Sequence, residues 1–422
     1  MTLFNLRKST YLFLFLLMNF QLISCAQKLK DNKIASKTSD RKAPEIITAA
    51  NRIELYSSLL QNKNIAIVAN QTSVIQKVQR AEVAPNVMGS KKVTQHLVDY
   101  LNNKKNINVQ KVFAPEHGFR GKADAAELVK NGKDSKTGLP IISLYGKNKK
   151  PTAEQLKNVD IVVFDIQDVG VRFYTYISTL HYVMEACAEA DIPVLILDRP
   201  NPNAHYIDGP ILEKEHASFV GKHPVPVVYG MTIGEYGQMI NGEKWLKNGI
   251  QCDLEVIPLK NYNHNSEYSL AIRPSPNLPN DKSINLYPSL GFFEGTTINA
   301  GRGTEFQFQR YGAPYFPKTD FNYTPQANFG AKYPKHKNKL CYGVDLSDTE
   351  KLSAINLKWL IDAYQKTPKE EKFFGSTFTI HAGNTKLQQQ IEKGLSAQEI
   401  RETWQKDLEK FKEIRNKYLI YK

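Results

Sequence analysis

Short apolar runs, each closed by a polar cluster, recur through the first half of the chain. Residues 64–69 (NIAIVA) lead into Asn70-Gln71-Thr72-Ser73, and residues 109–114 lead into Pro115-Glu116-His117-Gly118. Residues 161–166 end in Asp165, Gln167 and Asp168, and residues 193–197 end in Asp198-Arg199-Pro200-Asn201. Runs this short, rich in β-branched residues and apolar at successive positions, suit strands buried on both faces of a parallel sheet. Helical patterns fall between them, at residues 94–103 and 176–190, and residues 252–259 read as a further strand. The alternation predicts an α/β domain with right-handed crossovers, Rossmann-like, with its sheet mostly parallel. Parallel strands would carry the polar clusters to one edge, where such sheets bind ligands.

The pattern changes after about residue 261. Arg273-Pro274-Ser275-Pro276-Asn277-Leu278-Pro279 has too many prolines for regular structure. Glycine-rich polar segments follow at residues 292–296 and 301–304. Two capping boxes mark helix starts, Thr232 with Glu235 and Ser396 with Glu399. Ile400, Trp404, Leu408, Phe411, Ile414 and Tyr418 then recur at helical spacing, as a core-facing stripe does. At 422 residues the chain is long for one core. The expected division is a leader over 1–24, a flexible tether over 25–48, the Rossmann-like domain over 49–250, and a smaller α/β (α+β) domain over 251–422, with a cleft between the last two.

The leader has Arg7-Lys8, an apolar stretch from Tyr11 to Phe20, then Leu22-Ile23-Ser24-Cys25. That layout reads as an export signal, and Leu-Ile-Ser-Cys resembles a bacterial lipobox with Cys25 as the lipidated residue. The expectation is an exported, membrane-anchored, periplasmic lipoprotein; ordinary cleavage near Ala26 is the alternative. Cys187, Cys252 and Cys341 show neither zinc spacing nor a disulfide framework. The formal net charge of +14 favours anionic polymers. The lysines are dispersed, with concentrations at 147–150 and 332–339, and no nucleic-acid motif accompanies them. No dinucleotide fingerprint, P-loop, zinc-protease motif or serine-hydrolase elbow is present.

The candidate chemistry is therefore acid–base. Glu116 stands between Pro115 and Gly118 at a strand end, beside His117; a helix-capping loop is the structural alternative. Arg120, Asp124 and Glu127 add charge nearby, as site groups or surface ion pairs. Asp165 and Asp168 with Arg172 would supply a second carboxylate and an anion-binding guanidinium, or an internal Asp168–Arg172 pair at i,i+4. Tyr174 and Tyr176 would stack on a sugar or pack in the core. Asn277, Glu294 and Arg302 lie in irregular loops, where function often resides.

Together these segments resemble a known family. Ala69-Asn70-Gln71-Thr72-Ser73, residues 113–121 (FAPEHGFRG), Thr137-Gly138-Leu139-Pro140, Ser143-Leu144-Tyr145-Gly146, residues 164–170 with Arg172-Phe173-Tyr174-Thr175-Tyr176, Asp198-Arg199-Pro200-Asn201-Pro202, Ser275-Pro276-Asn277, Phe293-Glu294-Gly295-Thr296 and Gly301-Arg302-Gly303-Thr304 occur in order. The chain looks like the exo-β-N-acetylmuramidases of the NamZ type, glycoside hydrolases first recorded as a domain of unknown function. It departs from the family's pattern at Asn201-Pro202-Asn203-Ala204-His205, where glycines are usual. The resemblance implies cofactor-free release of N-acetylmuramic acid from the non-reducing end of peptidoglycan fragments. It implies Glu116 as catalytic acid, with Asp165 or Glu294 as second carboxylate. Asn70, His117, Arg172, Tyr174, Asn277 and Arg302 are the implied substrate ligands, Arg172 or Arg302 gripping the lactyl carboxylate. Two rival expectations are a wall-binding lipoprotein without catalysis and a metal-dependent hydrolase using His96, His117, Asp165 and His205.

Overall fold

The computed structural model describes residues 44–84, 87–121 and 131–422. Cys25, Asp124 and Glu127 lie outside them. Residues 46–422 form one compact unit. Its strands, in chain order, are β1 (Asn64–Ala69), β2 (Val74–Ala84), β3 (Val87–His96), β4 (Asn108–Ala114), β5 (Gly132–Lys133), β6 (Pro140–Ser143), β7 (Ile161–Asp165), β8 (Val194–Leu197), β9 (Leu254–Ile257), β10 (Arg310–Ala313), β11 (Asn322–Tyr323) and β12 (Cys341–Asp345). A seven-stranded sheet has the order β5-β6-β4-β1-β7-β8-β9, parallel except for β5. The apolar runs form these strands because both sheet faces are covered. Ala66, Val68, Val162, Phe164, Val194 and Ile196 face one core, while Ile65, Ile67, Val112, Val163 and Leu195 face the other.

The chain builds outward from β1 through β4 to β6, then crosses back to β7 and continues through β8 to β9. Strand order thus reverses between β1 and β7, the position that opens a crevice in doubly wound sheets. β9 pairs with β8, so the sheet runs on past residue 250, where the sequence reading divides the chain. One continuous core joins sheet residues such as Phe164 to Phe292, Phe378 and Phe411 of the C-terminal region. That smaller region carries the antiparallel sheet β10-β12-β11 and the helices Leu357–Lys366, Lys386–Glu392, Ala397–Glu402 and Gln405–Asn416.

Both predicted capping boxes are present, at Thr232 and Ser396. The helix expected over 94–103 begins only at Leu97. Thr94, Gln95 and His96 instead pair with Gln76, Ile75 and Val74 in the β2–β3 hairpin. His96 then caps the helix Leu97–Asn102: its Nδ1 accepts from Val98 N at 3.2 Å, and its Nε2 bonds Asn70 O at 2.8 Å. Among the described residues no helix is long and apolar enough to cross a membrane.

Candidate active site

The loop after β4 is a tight turn closed by Gly118 N donating to Pro115 O at 3.0 Å. His117 and Gly118 both have positive φ, 69° and 75°. A histidine held there stores on the order of 1–3 kcal/mol of backbone strain, which the surrounding contacts must offset. Arg120 provides one such contact. Its guanidinium meets Asp134 at 3.1 and 2.7 Å and Asp99 at 2.9 Å. Burial opposes ionisation of Asp134, but Arg120 and Thr137 hold its pKa down at about 2. The loop carrying Glu116 is thereby tied to the helix Leu97–Asn102 and to the segment before β6.

Glu116 is half-buried. Thr175 Oγ1 donates to its Oε2 at 2.7 Å, and the Tyr145 hydroxyl, from the loop after β6, is hydrogen-bonded to the same side chain. Burial and then the Glu116 charge push the Tyr145 phenol up from its ordinary value, with Glu294 adding to the effect. Burial likewise raises Tyr287, with Glu294 and Glu116 the next contributors. The two glutamates therefore share one environment, although 178 positions separate them in sequence. Glu294 sits on the 3-10 turn Gly291–Gly295, its Oε1 3.2 Å from Arg302 Nη1 and its Oε2 3.8 Å from His381 Nε2. Asn277 Nδ2 donates to Gly330 O at 2.6 Å, and Arg302 Nη2 reaches the same carbonyl at 3.4 Å. Glu116, Tyr145, Thr175, Glu294, Arg302 and His381 thus converge from separate segments of the chain.

Other expected site residues are committed elsewhere. Asp165 is fully buried in a bidentate pair with Arg199, at 2.6 and 2.9 Å. Against the pull of burial, Asp165 holds that guanidinium above its ordinary pKa. Asp165 is thus an internal counter-ion, which removes it as the second carboxylate. Arg172 is completely buried, its Nη1 donating to Pro210 O and Val225 O and its Nη2 to His381 O and Ala382 O, all at 2.6–2.9 Å. It pairs with no carboxylate among the described residues and reaches no solvent, which corrects both readings of it. Burial pushes its pKa down, while the four carbonyls favour the charged form. Asp168, its expected partner, accepts instead from the Tyr229 hydroxyl and from Gly170 N at 2.7 Å.

Asn70 is buried and used up locally: Nδ2 donates to Tyr176 OH at 2.9 Å, and Oδ1 accepts from Thr72 N and Oγ1. Ser73 Oγ donates to Asp165 O, and Gln167 N to Thr72 Oγ1. The polar clusters at the β1–β7 switch are thereby hydrogen-bonded to one another. Tyr174 packs edge-on against Tyr176 and donates to Pro274 O at 2.8 Å, fastening the proline-rich loop. His117 is buried in its turn. The metal-site reading loses its geometry: His96 is bound to Asn70 O, His205 to Leu352 O at 2.9 Å and Asp165 to Arg199, and the described residues contain no group of three potential ligands.

A carboxyl just past a strand of a doubly wound sheet, with a second carboxyl on the Gly291–Gly295 turn and a guanidinium and phenols nearby, suits an acid–base hydrolase. Comparison with known proteins identifies which. The sequence model for the N-terminal part of exo-β-N-acetylmuramidase NamZ matches residues 65–282, and that for the C-terminal part matches residues 285–421. The chain belongs to this family. Peptidoglycan β-N-acetylmuramidase NamZ of Bacillus subtilis (strain 168) is 38% identical over 441 residues, covering 99% of this chain and 100% of that protein. Two solved DUF1343-family proteins of Bacteroides fragilis are similar in fold. One has a TM-score of 0.79 at 45% identity, covering 90% of this chain and 99% of its own. The other has a TM-score of 0.73 at 27% identity, covering 90% and 100%.

Proposed function

We propose that this chain is an exo-acting glycosidase that releases N-acetylmuramic acid from the non-reducing end of peptidoglycan fragments. What supports the reading is that the charges of Glu116 and Glu294 both act on the Tyr145 phenol, within a member of this family. Cleaving a glycosidic bond requires a proton for the leaving oxygen and relief of positive charge at the anomeric carbon. Glu116 supplies the proton, with Thr175 and Tyr145 orienting its carboxyl. Glu294 is the second carboxyl, poised to order a water or to stabilise the cationic centre; the substrate's 2-acetamido group is the other available nucleophile. With Arg172 caged, Arg302 is the guanidinium left to grip the lactyl carboxylate. A lactyl carboxylate docking on Arg302 would compete for the ion pair now made with Glu294, so binding would release Glu294 for chemistry.

Glu116→Gln tests this on a chromogenic N-acetylmuraminide. The expected result is a loss of about 10²- to 10⁴-fold in kcat with the fold intact. Wild-type activity in the variant removes Glu116 from the mechanism, and binding without hydrolysis by the wild type makes the chain a wall-binding protein.

The leader completes the proposal: export, lipidation at Cys25 and attachment to a membrane facing the periplasm. More than one acyl chain is needed for stable anchoring, and a lipidated N-terminal cysteine carries more than one. Cys25→Ser is expected to move the protein from the membrane to the soluble fraction; unchanged fractionation refutes the anchor.

A further inference from the structure

The lysine-rich segment 332–339 reads as surface charge, yet one of its members faces inward. Lys335 Nζ donates to Phe293 O at 2.6 Å, Glu294 O at 3.1 Å and Thr296 O at 2.5 Å. All three ammonium protons are spent on the C-terminal end of the turn that carries Glu294. The last carbonyls of any helical turn lack internal donors, and a cation there satisfies them and complements their dipoles. The next residue extends the grip, His336 Nε2 bonding Thr297 O at 2.7 Å. Asn299 Nδ2 then donates to both Lys335 O at 2.9 Å and Arg302 O at 3.0 Å. One hydrogen-bonded frame therefore joins the backbone of Lys335, the turn under Glu294 and the loop under Arg302.

Resting on the glycosidase reading above, we propose that Lys335 is a positioning residue, its ammonium capping the Gly291–Gly295 turn and so fixing where Glu294 and Arg302 stand. Lys335 touches no substrate. It acts through the backbone, because a turn whose carbonyls had lost their cap would shift the carboxylate it carries. Displacements of about 1 Å at reacting groups cost on the order of a hundredfold in rate.

The titratable groups around Lys335 are Glu294, Arg302, His336 and His381. Burial lowers the lysine's pKa to about 8; Glu294 opposes that shift and Arg302 adds to it. His336 and His381 are themselves held below their ordinary values by burial, so both are neutral where Lys335 titrates. Once deprotonated, the amine has two protons for three carbonyls and turns a lone pair towards one of them. The frame thus loosens as pH rises through about 8.

The test combines kinetics with structure, using Lys335→Met and Lys335→Arg in the full chain. Wild-type kcat on a chromogenic N-acetylmuraminide is expected to fall on the alkaline side near pH 8. The Met variant is expected to lose about ten- to a hundredfold in kcat, more than it changes KM. The Arg variant, whose guanidinium stays protonated, is expected to recover most of that loss and to move the alkaline limb upward by at least about one pH unit. A Met variant with wild-type kcat, or an Arg variant whose limb has not moved, overturns the proposal. A crystal structure of the Met variant, or of the Arg variant if Met does not fold, decides it independently of any activity. A displaced 293–297 turn in Met, or a guanidinium on the same carbonyls in Arg, supports the role. An unmoved turn in Met, or those carbonyls left uncapped around an unshifted Glu294 in Arg, refutes it. A wild type that hydrolyses no muraminide at any pH refutes the glycosidase reading instead and leaves the structural comparison to judge Lys335.

Discussion

Arg172 lies in the segment richest in site-like residues and does not serve as a site residue. Arg172→Met keeps a long side chain in the same apolar surroundings and removes the guanidinium from its four carbonyls, those of Pro210, Val225, His381 and Ala382. Val225 O keeps Leu212 N at 3.2 Å, so three buried acceptors lose their donor, at a cost of about 1 kcal/mol each and about 3 kcal/mol together. Removing an unpaired buried cation recovers part of its desolvation cost, which brings the expected net loss to about 2 kcal/mol. That is a large share of a stability of roughly 5–15 kcal/mol. The assays are thermal unfolding and, below the transition, kinetics on N-acetylmuraminide and N-acetylglucosaminide substrates. The expected outcome is a melting midpoint lower by several degrees, with kcat/KM and the preference for muramic acid within about threefold of wild type. Gly383→Ala should weaken the same cage. Gly383 has φ 82°, and an added Cβ would stand 2.6 Å from Arg172 Nη2. An Arg172→Met protein with an unchanged midpoint and a lost preference for muramic acid would refute this reasoning and restore Arg172 as an anion ligand.

Two further outcomes follow from buried charge. Arg199→Met leaves the Asp165 carboxylate buried without its partner and is expected to destabilise by about 3–5 kcal/mol in chemical denaturation, whereas adding Asp165→Leu should restore much of the loss; additive effects in the double variant would contradict the pair. Burial holds His181 at about pKa 4 and pushes His223 well down too, both below their unfolded value near 6.5. The unfolded chain therefore binds more protons as pH falls from 6.5 towards 4, and the histidines' contribution to stability is lost through that window. Asp168 and Asp198, raised by burial to about 6 and 7, act in the opposite sense. The measurement is thus a difference: melting midpoints of wild type and of a His181→Gln/His223→Phe variant between about pH 7 and 4.5. The wild type is expected to fall further, and parallel curves would contradict the shifts.

The scaffold was legible because its causes are local. β-branched runs closed by polar clusters became β1, β4, β7 and β8, and the Thr232 and Ser396 capping boxes began their helices. The place of Glu116 just past β4 was legible from the apolar run before it. Asp165 and Arg172 read as site residues because their partners are distant in sequence, and Asn70 because Tyr176, which takes its amide, lies 106 positions away. Arg199 is 34 positions from Asp165, and His381 is 209 positions from Arg172. The i,i+4 spacing of Asp168 and Arg172 carried no contact, since the helix starts only at Tyr176. Tyr145 stood in a recognised motif, but its chemistry depends on approach to Glu116 from the neighbouring strand's loop. Lys335 was hidden among other lysines of the same segment; nothing in its immediate neighbours distinguishes it.

The most direct measurement is a crystal structure of the Glu116→Gln variant with a bound disaccharide carrying N-acetylmuramic acid at its non-reducing end. The substituted amide at position 116 is expected within hydrogen-bonding distance of the glycosidic oxygen, with the lactyl carboxylate on Arg302 and the anomeric carbon facing Glu294. A disaccharide bound away from that amide, or one whose glycosidic oxygen meets neither it nor any other acid, would contradict the proposed chemistry.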